Sequence, residues 1–362
     1  MNLQEQNILF FTRTMQLGGT ENVILQLCEI FKPLVNKIVV CSCGGINVEK
    51  IEKMGIKHIL IEDIENKSFP IMLKVIKSLK KIIKDEKISV IHTHHRMAAF
   101  YISLLRLYRD CIFINTSHNT FYDKKFLTKF AYKQGHLIAC GQMVKKNLVD
   151  VFGLPENQVT VIHNAVKAFD GNVKKDFLIE EMHERGFFVV GNIGRLSEQK
   201  GMEYFIKAIP EVIQKCPNTR FVIVGSGEEK EMLKQLSNEL EVDEYLTFLG
   251  YREDIQNLMS QIDLIVLSSL WEGLPLTPIE AFSVGKTIVA TAVDGTVEIV
   301  DDGVDGCLIS PKQSKQIADK IIWFIDNDDI RRKMESNSLI HYRNEFSFEK
   351  LKSNYCSYYA RL

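Results

Sequence analysis

The sequence predicts an α/β protein made of two doubly wound parallel-sheet domains in series. Three observations predict it. Short apolar runs alternate with helical patterns along the chain. The alternation breaks at a polar stretch, 167–175, which carries the turn-forming Asp170-Gly171-Asn172, and then restarts. The length, 362 residues, is one at which a chain divides into two domains that each bury a core.

In the first half the strands are expected at 8–11, 37–41, 58–61, 90–92 and 113–116, with helices such as 20–31 and 72–84 between them. In the second half they are expected at 187–193, 220–224, 246–249, 264–267 and 287–290. The expected division is 1–168 for the first domain, 169–185 for a linker and 186–340 for the second domain. Residues 341–362 form a helical segment expected to pack back on the first domain. Ligands of open sheets sit beyond the carboxyl ends of the strands. Two such domains facing one another leave a cleft suited to a ligand.

Composition narrows the class. Hydrophobic residues make up 46% and charged residues 25%, the profile of a soluble globular protein. Met1 to Gln6 is polar, so no signal peptide is expected. No apolar stretch approaches the ~20 residues of a membrane span. The eight cysteines show no CxxC spacing, and Cys28 and Cys140 lie in apolar patterns, as reduced residues of a cytoplasmic protein do. Cys41-Ser42-Cys43 lacks partner ligands nearby. The net charge of −1 hides an asymmetry: residues 1–180 carry 25 basic against 17 acidic residues, and the remainder 20 against 29. A basic half suggests a polyanion or an anionic membrane surface as partner, or only the chance composition of a surface; no nucleic acid is expected. Its lysines cluster at Lys74, Lys77, Lys80, Lys81 and Lys84, and at Lys124, Lys125, Lys129 and Lys133 beside Phe126, Leu127 and Phe130. Either group reads as a membrane-surface helix or as a core-facing helix with a solvated lysine face.

Chemistry is expected at the strand ends. After the first strand, Leu17-Gly18-Gly19-Thr20-Glu21 opens a helix; paired glycines permit close backbone approach and a helix N-terminus favours phosphate, although a plain strand-to-helix turn looks the same. The run is not GxGxxG, which weakens a nicotinamide-dependent dehydrogenase. In the second half, Gly194-Arg195-Leu196-Ser197-Glu198-Gln199-Lys200-Gly201 follows a strand. Arg195 and Lys200, five positions apart in one loop, are expected to converge on one anion, such as a departing nucleoside diphosphate. Gly225-Ser226-Gly227-Glu228 is another glycine turn. Ser268–Ala281 then reads as a loop with Glu272 and a helix with Glu280, where Thr277-Pro278-Ile279-Glu280 has the form of a capping box.

These residues resemble family 4 of the retaining GT-B glycosyltransferases. The likeness rests on the glutamates seven residues apart after the GRLxxxKG loop. It also rests on the GGTE turn, Asn115-Thr116-Ser117-His118-Asn119, Val161-Ile162-His163-Asn164-Ala165-Val166 and Asp294-Gly295-Thr296-Val297-Glu298-Ile299-Val300. The resemblance implies a GT-B fold, two Rossmann-like domains facing a central cleft. It implies that Arg195 and Lys200 hold the donor diphosphate and that Glu280 binds ribose hydroxyls. Glu272 then lies by the transferred sugar, and His118 faces sugar and phosphate. Gly18, Gly19, Gly194, Gly225 and Gly273 shape the donor site, and Leu274, Leu276 and Thr277 offer backbone amides. Two departures stand out: Pro275, which has no amide hydrogen, and Ala165, each at a position where the family often has Gly. The implied partners are a nucleotide-sugar donor and a glycan or lipid-linked acceptor. Neither a metal nor another cofactor is expected. His92-Thr93-His94-His95 offers two imidazoles on one face without a carboxylate, and Asp326-Asn327-Asp328 reads as a helix boundary, not as a metal-binding DxD. Other enzymes on this fold, an epimerase or a hydrolase, would turn over donor without acceptor. A non-catalytic subunit would lack one of Arg195, Lys200, Glu272 or Glu280, and all four are present.

Overall fold

A computed structural model describes residues 2–362. The chain divides into two compact units. The first runs to Asn164 and takes in Leu351–Leu362; the second is Ala165–Lys350.

The first unit holds seven strands: β1 (Asn7–Phe11), β2 (Lys37–Ser42), β3 (Lys57–Leu60), β4 (Val90–Thr93), β5 (Ile112–Ser117), β6 (His136–Ala139) and β7 (Val159–Val161). Their order is β3-β2-β1-β4-β5-β6-β7, and every pair is parallel. β1 and β4 are buried at every position, which is how strands covered by helices on both faces read. The chain winds from β1 out to β3, then returns to β4 on the other side of β1. The loops after β1 and β4 therefore diverge, and a crevice opens at their carboxyl ends. The final helix, Phe348–Arg361, buries Leu351, Tyr355, Tyr358 and Tyr359. Tyr359 packs on Phe31 with ring centroids 4.3 Å apart.

The second unit holds β8 (Phe188–Ile193), β9 (Thr219–Val224), β10 (Leu246–Gly250), β11 (Leu264–Leu267), β12 (Ile288–Thr291) and β13 (Gly306–Ile309). They form one parallel sheet in the order β10-β9-β8-β11-β12-β13. The helix Met202–Lys215 turns Met202, Phe205, Ile209 and Val212 to the core at helical spacing. There they join Phe221, Val266 and Phe324. The switch in strand order falls between β8 and β11, so the loops after these two strands flank the crevice.

Two expectations change. Three strands, β6, β7 and β13, were not foreseen. Each has three or four residues, and β7 is partly exposed at the sheet edge. The stretch 169–185 is not merely a linker. It contains the helix Phe177–Glu184, capped by Asp176, whose carboxylate accepts from the Leu178 and Ile179 amides. Ile179 is buried, and Arg252 donates to Asp176 at 2.7 Å, so this segment is built into the second unit.

Candidate active site

In the second unit the loop after β8 is set by backbone packed against backbone. A Cβ on Gly225, at φ +145°, would lie 1.8 Å from the Gly194 carbonyl oxygen, so only glycine fits. The Gly194 amide donates to Val224 O and the Leu196 amide to Ser226 O, both at 3.0 Å. Gly295 does the same for the loop after β11: a Cβ there would lie 1.9 Å from the Gly273 oxygen. The Lys200 and Glu272 segments meet where the Leu270 amide donates to Gln199 O at 2.7 Å and a Cβ on Gly201 would lie 2.5 Å from Ser268 O.

Lys200 Nζ donates to Glu272 Oε1 at 2.5 Å, and both side chains are largely buried. Ser269 Oγ donates to the same oxygen at 2.7 Å, and Gln199 Nε2 to the other at 3.3 Å. The Glu272 amide donates to Asp294 at 3.1 Å. Ser268 Oγ holds the Lys200 carbonyl and accepts from Asn192, each at 2.9 Å. A buried ion pair needs such extra hydrogen bonds to offset its desolvation. Arg195 is elsewhere: its guanidinium donates to Glu228 at 3.0 and 3.2 Å, and both side chains are exposed. The expected convergence of the two cations is therefore absent. Each has its own carboxylate, and only Lys200 is largely buried.

Glu280 is half-buried, with no hydrogen-bond partner for its carboxylate among the described residues. Burial pushes its pKa up to about 7, while Lys200 pulls the other way. The capping box is not formed. The helix is Leu276–Ser283, Pro275 is its N-cap, and no side chain caps it. Pro278 is thus the third helical residue and Glu280 the fifth. Proline is tolerated in the first turn because amides there lack intrahelical partners, so the sequence signal was compatible with an earlier start. Leu276 and Thr277 supply the first-turn amides. Leu274 and Thr277 are buried.

In the first unit the strand ends assemble histidines. His118 follows β5, and its Nε2 lies 3.1 Å from His94 Nδ1, just after β4. His92, within β4, stacks near His94 with centroids 4.3 Å apart. His92 is held by the Tyr359 hydroxyl and by Thr116 Oγ1, each at 2.7 Å. Burial keeps all three imidazoles neutral: His118 is lowered to about 4, and His92 and His94 fall well below the ordinary value. The cluster borders a cavity of about 320 Å³ that Arg13, Glu21, Glu65, His95 and Arg96 also line. Each guanidinium carries a carboxylate, Arg13 with Asp63 and Arg96 with Asp123, both at 2.8 Å.

Sequence reasoning did not foresee that Tyr355 and Tyr359 reach this cluster from the last helix; only the chain's return to the first unit could suggest it. It also gave no role to Ser269, Gln199 or Glu228, although each lies inside a segment singled out above, since hydrogen-bond partners are chosen in three dimensions. The Gly18-Gly19 turn opens the helix Gly19–Phe31, and no side chain caps it. Glu21 sits in its first turn, accepting from Thr14 at 2.9 Å, so a carboxylate already answers that helix dipole. Asp328 opens the helix Asp328–His341, and Arg332 binds it at 2.7 Å. Among the described residues, all eight cysteines are free thiols. Among the described residues, only Asp301, Asp305 and His341 bring three ligand-type atoms within 4.8 Å. There His341 and Asp305 already pair at 2.6 Å.

Comparison with known proteins matches both halves. Glycosyl transferases group 1 covers residues 174–339, and Glycosyltransferase Family 4 covers 17–168. The UDP-Gal:alpha-D-GlcNAc-diphosphoundecaprenol alpha-1,3-galactosyltransferase of Escherichia coli is 30% identical over 256 residues, 66% of each chain. The N,N'-diacetylbacillosaminyl-diphospho-undecaprenol alpha-1,3-N-acetylgalactosaminyltransferase of Campylobacter jejuni is 28% identical over 223 residues, 59% of this chain and 57% of that one. Among solved structures, HepE of Anabaena in complex with UDP superposes with a TM-score of 0.87 at 20% identity, over 99% of this chain and 100% of that one. The switch-point loops in both halves thus sit on a fold and in a sequence family that agree, and the chain belongs to the group 1 glycosyltransferases of GT-B fold.

Proposed function

We propose that this glycosyltransferase is retaining and metal-independent. It moves a sugar from a nucleoside-diphosphate sugar, with UDP favoured, to a glycan or lipid-linked acceptor in cell-surface polysaccharide or glycolipid synthesis. The Lys200–Glu272 pair at the switch point of the second sheet supports the reading: a largely buried cation suits a leaving diphosphate, and the carboxylate beside it is able to accept from sugar hydroxyls. Arg195, exposed and paired only at the surface, is free to swing to the same diphosphate. Glu280, half-buried and unpartnered, suits ribose hydroxyls, which would draw it into its ionised form. Gly225 and Gly295 let the backbone pack closely there, against the carbonyl oxygens of Gly194 and Gly273, and Leu274, Leu276 and Thr277 would border the phosphates. His118 is assigned to the sugar and phosphate oxygens, and Gly18 and Gly19 to the wall beside them. The two relatives with alpha-1,3 products and diphosphoundecaprenol acceptors in their names support the acceptor class and the retained configuration.

The proposed place of action is the cytoplasmic face of a membrane. Among the described residues no helix is long and apolar enough to cross one. The helix Phe69–Asp85 buries Val75, Leu79 and Ile82 in the core, which favours a solvated lysine face there. The helix Lys125–Tyr132 instead leaves Phe126 93% exposed, with Phe130 and Tyr122 also exposed, among lysines, a mixture suited to an anionic lipid surface.

Calorimetric titration with UDP, ADP and GDP in the presence of EDTA tests the donor assignment. UDP is expected to bind the wild-type protein and to bind Lys200→Ala about tenfold or more weakly. Equal affinity in both, or no binding of any nucleoside diphosphate, would remove it.

A further inference from the structure

We propose that His94 fixes the tautomer of His118, so that His118 takes part in transfer as a hydrogen-bond donor through Nδ1–H. The proposal rests on the reading that His118 contacts the reacting sugar or phosphate. His94 Nδ1 and His118 Nε2 are 3.1 Å apart, their rings nearly parallel at 22°. One proton lies in that contact. If His118 supplied it from Nε2, His94 would carry its own proton on Nε2. That atom is buried and has no hydrogen-bond partner; the ring around it faces His92 and Phe10. A buried N–H without an acceptor is rare, more so than an under-satisfied acceptor. With the proton on His94 Nδ1, only a lone pair is left facing the apolar side. His118 Nε2 then accepts, and its single proton must sit on Nδ1. Burial and the neighbouring imidazoles oppose a second proton on His94.

His92 cannot relieve the orphaned Nε2, because both its nitrogens are taken, by Tyr359 and Thr116. The C-terminal helix thus holds His92, His92 backs His94, and His94 orients His118. Among the described residues no hydrogen bond takes up the Nδ1 edge of His118, and the ring borders the cavity with Thr116, Ser117 and Asn119. An Nδ1–H there donates to a sugar or phosphate oxygen and cannot accept the acceptor's proton. In the transfer, the acceptor O–H bond breaks, its oxygen bonds to the anomeric carbon, and the bond from that carbon to the diphosphate breaks. The proton then goes to the leaving diphosphate oxygen. His94 is a positioning residue.

The test is long-range proton–nitrogen correlation NMR on full-length protein with ¹⁵N-histidine, His118 being assigned by its loss in His118→Gln. The wild-type protein is expected to show His118 protonated at Nδ1. His94→Phe, which lacks the donor, should shift it to the Nε2–H form or a mixture and lower kcat about tenfold with KM little changed. His94→Asn, whose amide donates from nearly the same place, should restore both tautomer and turnover. An Nε2–H form in the wild-type protein overturns the proposal, as does an unchanged Nδ1–H in His94→Phe. Should His94→Phe not fold, the wild-type spectrum and His94→Asn decide: loss of the Nδ1–H form in folded His94→Asn would also overturn it. The spectrum needs no nucleotide or sugar. A failed transferase reading therefore shows as absent turnover with the tautomer intact, and a failed proposal as the wrong tautomer.

Discussion

The two units place polar groups at the same point of the same topology and do opposite things with them. At the switch point of the second sheet the groups are ionic: Lys200 with Glu272, Arg195 with Glu228, and a half-buried Glu280. At the switch point of the first, the innermost groups are three neutral imidazoles and two tyrosine hydroxyls. The difference teaches what each half is suited to hold. A diphosphate needs fixed cations, whereas a sugar is recognised by neutral donors and acceptors.

The largest effect should come from Lys200. Lys200→Ala is expected to lower kcat/KM by more than tenfold, as loss of an oriented charge costs roughly 3–4 kcal/mol at the transition state. It should also destabilise the fold by about 3–5 kcal/mol, because Glu272 stays buried without its cation. Arg195→Ala should lower turnover similarly yet change stability by under about 1 kcal/mol, since its pair is exposed. Urea midpoints measured beside the rates separate the two. Equal stability losses would erase the distinction between buried and surface cation.

Glu280 comes next. Its folded pKa is raised to about 7 from 4.5, so its share of stability is whole below the ordinary carboxylate range and is lost as pH rises through 7. Glu280→Gln should therefore melt higher than wild type at pH 8, by no more than about 3 kcal/mol, and alike at pH 4. It should also weaken UDP binding. A variant that melts lower at pH 8 would mean that Glu280 is already ionised and paired.

In the first unit, Tyr359→Phe removes one buried hydrogen bond and leaves His92 Nδ1 unpaired, a loss of about 1–3 kcal/mol. Thermal melting reads it, and an unchanged melting temperature would detach the last helix from the histidine cluster. The smallest effect belongs to the surface. Phe126→Ser should reduce co-sedimentation with anionic vesicles a few-fold, and added salt should weaken what remains. Equal binding to neutral vesicles would reject the docking face.

The sequence carried the second half of this contrast better than the first. The GRLxxxKG loop and the paired glutamates are local, so each segment could be placed just after a strand; that these two strands, β8 and β11, are neighbours came only from the fold. Even so, it missed that Arg195 turns to Glu228, because a long exposed side chain chooses its partner in three dimensions. It also misplaced the helix start, since proline fits any first-turn position. In the first half, His118 and His94 were visible as residues but not as neighbours. Their contact depends on β4 pairing with β5, and their support comes from Tyr355 and Tyr359, more than 230 positions further on. β6 and β13 escaped although β4 and β11, also of four residues, were foreseen, so length alone does not decide; the three-residue β7 is partly exposed at the sheet edge.

The central claim is retention, with the leaving diphosphate taking the acceptor proton and His118 donating rather than accepting. Proton NMR of the anomeric signal of the first-formed product, from an α-linked UDP-sugar, tests it most directly. The account predicts an α linkage. A β linkage would contradict it, and would point to a carboxylate base in the first unit, where Glu21 and Glu65 border the same cavity as His118.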